Sequence, residues 1–164
     1  MPGFVRADGT QVGMEPRARG EIAACITCGG AAREADGRTR GEQLIEHLER
    51  GLAERGGAGL ALERVRCLWA CKRSCAVLLR APERPGYVIV ELEPSAASAR
   101  ALLDYAQLYL EAPDGAVPYR SWPDALRGHF HCRIPPTSGA GAGAEPVASL
   151  EPAPDGAPLQ DRTP

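Results

Sequence analysis

An α/β fold is predicted, with a four-stranded mixed sheet and helices packed on it, and three observations carry that prediction. A strand-like run, a helix-like run and a second strand-like run follow one another in 21–67. Two aliphatic runs then meet across a Pro/Gly turn, and a second apolar stripe at helical spacing follows.

Taken in order, EIAACITC (21–28) reads as a short strand running into a cysteine-bearing loop. A polar, glycine-containing connection fills 29–38. Thr39 then stands three residues before Glu42, the spacing of a capping box. Leu44, Ile45, Leu48 and Leu52 recur at helical spacing, Glu46 precedes Arg50 by four residues, and Gly56-Gly57 stops the helix. LALERVRC (60–67) alternates imperfectly but reads as the second strand, and its last residue opens another cysteine loop. AVLLRAP (76–82) and GYVIVELEP (86–94), joined through Glu83-Arg84-Pro85-Gly86, form a hairpin. Ser95 caps a second helix over 96–111, whose buried stripe is Ala99, Leu102, Leu103, Ala106 and Leu110. This succession is that of a thioredoxin-like α/β layer.

The ordered part spans 21–136. Residues 1–20 carry four Gly and two Pro, and residues 137–164 carry four Gly, five Pro and six Ala, with little to bury. Such composition does not offset its ordering entropy, so both ends are expected to be disordered tails. The ordered part holds 15 basic and 15 acidic residues, and the whole chain is formally −2. A protein that works by neutralising phosphates carries a basic excess, so nucleic acid is not an expected partner. No apolar stretch approaches a bilayer span and the N-terminus lacks a signal-peptide core, so no membrane partner and a cytoplasmic location are expected.

Six cysteines carry the chemistry: Cys25, Cys28, Cys67, Cys71, Cys75 and Cys132. In a reducing compartment, clustered cysteines are metal ligands or redox centres more often than structural disulfides. Five fall in two clusters, CITC (25–28) and CLWACKRSC (67–75), with 38 residues between them. Each cluster follows a strand of a strand–helix–strand unit. Parallel neighbours joined by a crossover end at the same edge of the sheet, so both loops emerge there and can share one site. The plain alternative is a chance set of buried thiols. A closed Zn²⁺ site accepts four thiolates as readily as an iron–sulfur cluster does. A thioredoxin-type dithiol needs its first cysteine at a helix N-terminus, whereas here the helix starts only near residue 40.

The spacing Cys-x2-Cys, 38 residues, Cys-x3-Cys is similar to the ligand pattern of thioredoxin-like [2Fe-2S] ferredoxins, and VRCLWACKRSCAVLLRAPERPGYVIVELEP resembles their second half. More closely, 22–136 resembles the bacterial family of predicted metal-binding proteins called domain of unknown function 1636. CITC, CLWACKRSC, PDGAVPYR and the closing RIPP carry that resemblance. It implies a fold and a metal rather than a reaction, in a context of cobalt uptake and cobalamin synthesis. The ferredoxin pattern implies Cys25, Cys28, Cys67 and Cys71 as ligands of a [2Fe-2S] cluster, serving electron transfer or redox sensing with a redox partner protein. Pairing of such ferredoxins implies a lean towards a homodimer. The alternative is a Zn or cobalt binding module for metal handling linked to cobalamin synthesis. Cys75 departs from the pattern as a fifth metal-ligand candidate, a resolving thiol or a small buried hydrophobe.

Arg64, Arg66, Lys72 and Arg73 surround the second loop, as a solvated face or as cations that offset thiolate charge or dock an acidic partner. Trp69, between two ligand candidates, is read as a shield against water. His129, His131 and Cys132 (HFHC) form a weaker metal-site candidate, and His47 is read as structural. No nucleophile motif, phosphate loop or HExxH is present, so no enzyme is expected.

Overall fold

The computed structural model describes residues 19–30 and 33–136. Strand β1 (Gly20–Cys25) pairs in parallel with β2 (Leu60–Val65), from Gly20 opposite Leu60 to Cys25 opposite Val65. Helix α1 (Arg40–Glu54) makes the crossover between them. On its other side β1 pairs antiparallel with β3 (Val77–Arg80), which continues through a hairpin into β4 (Gly86–Ile89). Helix α2 (Ala96–Glu111) follows, and β5 (Phe130–Ile134) closes the sheet antiparallel to β4. The strand order is β2-β1-β3-β4-β5.

The sheet therefore has five strands rather than the expected four. The fifth is the HFHCRI run, whose sequence hides it. An edge strand buries little, and here only Phe130 is half-buried while the next four residues are exposed, so no apolar alternation is available to read. The strands are also shorter than expected. β2 stops at Val65, which leaves Cys67, expected as its last residue, in the loop beyond, while Cys28 lies in the loop after β1 as expected. Gly20, expected in the N-terminal tail, begins β1 because its parallel neighbour Leu60 extends the ladder to it. The rest of that expected tail apart from Arg19, and all of 137–164, lie outside the described residues.

Alternation along the strands separates two faces. Ile22, Leu79 and Tyr87 are cross-strand partners on one face, as are Val77 and Ile89, and all five are buried. Leu44, Ile45, Leu48 and Leu52 of α1 and the expected stripe of α2 join them in one core. Each such side chain contributes roughly 1.5–3 kcal/mol on burial. The α2 stripe is wider than expected because Tyr105 and Tyr109 are also buried, the first against Trp122 and Phe130 at ring-centroid distances of 5.7 and 4.8 Å. The opposite face is polar towards β2, where Arg80 bonds Glu21 at 2.8 Å and Glu63 at 3.2 Å.

Both helix starts were legible. Thr39 accepts from the Glu42 N–H while the Glu42 carboxylate accepts from the Thr39 N–H, completing the capping box. At the other end Gly57 donates to the Leu52 carbonyl at 2.9 Å from a φ of +82°, a conformation in which glycine has no steric penalty. Among the described residues no helix is long and apolar enough to cross a membrane.

Candidate metal centre

The parallel pairing of β1 with β2 decides where the cysteines go. Cys25 is the last residue of β1, and Cys28 follows one turn later. Cys67 follows β2, Cys71 opens a 3-10 turn (Cys71–Arg73), and Cys75 stands just before β3. Since β3 runs antiparallel to β1, its start lies beside the end of β1, and five of the six cysteines reach one end of the sheet.

Direct contacts tie the two loops together. The Cys25 Sγ meets the Arg66 carbonyl at 3.6 Å, across 41 residues of sequence. Thr27, inside CITC, donates its hydroxyl to the same carbonyl at 2.6 Å. The Ala76 N–H donates to Cys28 Sγ at 3.2 Å, which seats Cys28 against the residue after Cys75. The α1 N-terminus braces the first loop from behind. Thr39 Oγ1 donates to the Ile26 carbonyl at 2.5 Å, and the Gly41 N–H reaches the Cys28 carbonyl at 3.4 Å. Gly41 is required there, because a β-carbon would come within 3.1 Å of Ile26 carbonyl atoms and closer still to the Cys25 oxygen.

The thiols form two neighbouring groups of different character. Cys25, Cys28 and Cys75 are buried, whereas Cys67 and Cys71 are exposed. In the buried group Cys28 lies beside Cys75, and this neighbour together with burial pushes the Cys28 thiol far up. The same proximity draws the Cys75 thiol down, assisted by the Arg40 guanidinium. Arg40, the first residue of α1, also bonds Glu93 at 3.1 Å. In the exposed group the neighbouring Cys67 raises the Cys71 thiol. The Trp69 N–H donates to Cys67 Sγ at 3.2 Å.

The donor set suits a four-thiolate centre in kind and number. As the thiols stand, they are two adjacent groups rather than a closed cage. Among the described residues, no three His, Cys, Asp or Glu side chains are arranged to hold a metal ion.

Other sequence expectations fare differently. Trp69 does not shield the site: the residue is 93 % exposed. HFHC stands apart from the other cysteines, since Cys132, on β5 opposite Val88 of β4, is separated from β1 by both β3 and β4, and its two histidines bond elsewhere. His129 donates Nδ1–H to the Val90 carbonyl at 2.9 Å, and His131 Nδ1 accepts from Arg73 at 2.7 Å. Arg64 and Arg73 are taken by Glu49 and Glu91. Sequence reasoning passed over Thr27, Thr39 as a loop brace, and Arg40. A hydroxyl between two clustered cysteines was the available sign of the first; nothing in the sequence announced the last.

Fold and site together define a small α/β protein with a thiol-rich end where two parallel strands and an antiparallel neighbour meet. Residues 22–136 match the family described as protein of unknown function (DUF1636), and the chain belongs to that family. No curated protein matches the chain, and no solved structure does.

Proposed function

We propose that this protein carries a metal centre on two cysteine pairs, Cys25/Cys28 and Cys67/Cys71, and that the centre is a [2Fe-2S] cluster serving one-electron transfer or redox sensing. We further propose that the fold is thioredoxin-like, with β5 added at its edge. The observation that carries the site reading is the contact of Cys25 Sγ with the Arg66 carbonyl, next to Cys67, at the shared end of two parallel strands.

A bound cluster supplies a one-electron acceptor and donor. The residues of the chain would do the rest. Cys25 and Cys28, in the core, would hold one side of the centre away from water. Thr27 and Thr39 would fix the first loop, and Arg40 would offset thiolate charge from the buried side. Cys75 is a fifth thiol beside the set, within reach of Cys28.

The exposure of Cys67 and Cys71 supports a second reading, an exchangeable Zn²⁺ or cobalt site for metal handling, since a thiol pair open to solvent can pass a soft ion to another protein.

An anaerobic visible spectrum, with iron, sulfide, zinc and cobalt quantified on the same sample, separates these readings. The cluster predicts colour, iron and sulfide near about two each per chain, and loss of both in Cys67→Ser but not in Cys132→Ser. A colourless protein with about one zinc, refractory to reconstitution with iron and sulfide, overturns the cluster. Bound cobalt that exchanges freely moves the protein to metal delivery.

A further inference from the structure

Trp69 breaks two rules at once. The residue is 93 % exposed, and its backbone has a φ of +59°, a region that residues other than glycine, asparagine and aspartate seldom enter. Both features work against the stability of the isolated chain, and no contact of the indole among the described residues compensates them. The residue stands midway between Cys67 and Cys71, with its N–H on Cys67 Sγ. The ring is therefore held outwards at the tip of the thiol-bearing loop.

The charges at that tip are also uncompensated. Arg64, Arg73 and Arg40 each have a carboxylate partner, in Glu49, Glu91 and Glu93. Arg66 and Lys72 are exposed and, among the described residues, have no salt-bridge partner. The stretch RCLWACK (66–72) thus presents one indole flanked by two free cations and no acid.

We propose that this tip is the docking contact for an acidic protein partner, whose carboxylates surround an apolar pocket that takes the Trp69 ring. Tryptophan and arginine are the residues that dominate protein interfaces when a ring fills a pocket, and rim charges steer the encounter. Nucleic acid fits less well. Beyond the two free cations the loop is bordered by Glu49, Glu91 and Glu93, which break any continuous basic track for a phosphate backbone. The inference rests on the proposed metal centre for its purpose: a partner seated on Trp69 lies two residues from each of two thiols.

The test is an NMR titration of the full chain, with three probes: a short peptide of alternating glutamate and leucine, the same peptide with lysine for glutamate, and oligothymidylate. The chain has two tryptophans, so Trp69→Gly assigns the indole signals. The acidic peptide should shift the Trp69 indole and the amides of 66–72 saturably, with affinity falling as salt rises. Trp69→Gly should weaken binding about tenfold, with folding stability unchanged or raised because glycine accepts the positive φ. Lys72→Glu should weaken it about threefold. Equal response to both peptides, shifts confined to another surface, or no response overturns the proposal. Tighter binding of oligothymidylate overturns it in favour of a nucleic-acid surface. The titration is run on metal-free protein and again after iron–sulfide reconstitution. Failed reconstitution then counts against the cluster alone, while protein that reconstitutes and ignores the acidic peptide counts against the docking contact alone.

Discussion

Gly41→Ala is the sharpest probe of how the fold holds the first cysteine loop. Gly41 is the second residue of α1, pressed against the loop that follows β1. A β-carbon there would stand 3.1 Å from both the carbonyl carbon and oxygen of Ile26, and closer than 3.0 Å to the Cys25 oxygen. All three obstructing atoms are backbone, so no rotamer change relieves the contact. Reaching an ordinary separation of about 3.5 Å requires the helix start or the loop to retreat by well over an ångström. That displacement would stretch the Thr39–Ile26 bond, now 2.5 Å, and the Gly41–Cys28 bond, already 3.4 Å. Overpacking costs about 1–3 kcal/mol, and the rigidity of both sides argues for the upper end. The same substitution at Gly51 is the control. There the obstacle is the Leu103 Cδ1 at 2.6 Å, the end of a side chain that can turn, and alanine recovers about 1 kcal/mol of helix propensity. Urea unfolding should therefore show a loss of about 2–3 kcal/mol for Gly41→Ala and a change within about 1 kcal/mol for Gly51→Ala. Equal effects at the two positions would refute the reasoning.

Three further outcomes follow from the same contacts. Thr39→Ala removes both the helix cap and the bond to the Ile26 carbonyl, and should lower stability by about 1–2 kcal/mol in urea unfolding; an unmoved midpoint contradicts the brace. Tyr105→Phe removes a buried hydroxyl that has no hydrogen-bond partner among the described residues, so it should leave stability unchanged or raise it by about 1 kcal/mol; a comparable loss would mean the hydroxyl is bonded. The Asp36 carboxylate accepts from the Gln43 side chain and from the Arg38 N–H and guanidinium, which together hold its pKa at about 2 instead of 3.8. Because the folded value is depressed, the stability it contributes is present above the ordinary value and lost as pH falls from 3.8 towards 2. An NMR titration of the Asp36 carboxyl with its midpoint near 3.8 would show those bonds absent.

The parallel crossover was readable because a clear helical stripe, Leu44 to Leu52, stands between two short strand-like runs, the second of which alternates only imperfectly. The capping box was readable because Thr39 and Glu42 satisfy each other locally. From those two facts, convergence of the cysteine loops followed without further information. β5 was not readable, because its residues owe their strand conformation to pairing with β4 rather than to burial. The division of the thiols into buried and exposed groups was equally hidden. It depends on Cys75 lying at the start of an antiparallel strand, a long-range pairing that no local pattern encodes. Trp69 was misread for a related reason. A large aromatic between candidate ligands suggests burial by composition, whereas its backbone conformation turns it outwards.

Strand order also gives the parts of this site different lifetimes. β1 and β3 are flanked on both sides, while β2 and β5 are edges. Amides of doubly paired strands exchange with solvent close to the global unfolding limit, and edges open sooner through local fluctuations. Cys25, Cys28 and Cys75 are attached to β1 and β3, whereas Cys67 leaves the edge strand β2. A local opening that frees β2 would carry Cys67 away and leave the three buried sulfurs in register. Deuterium uptake around Cys67 should then run ahead of uptake around Cys25, and the slower half serves as the template on which the faster half reassembles.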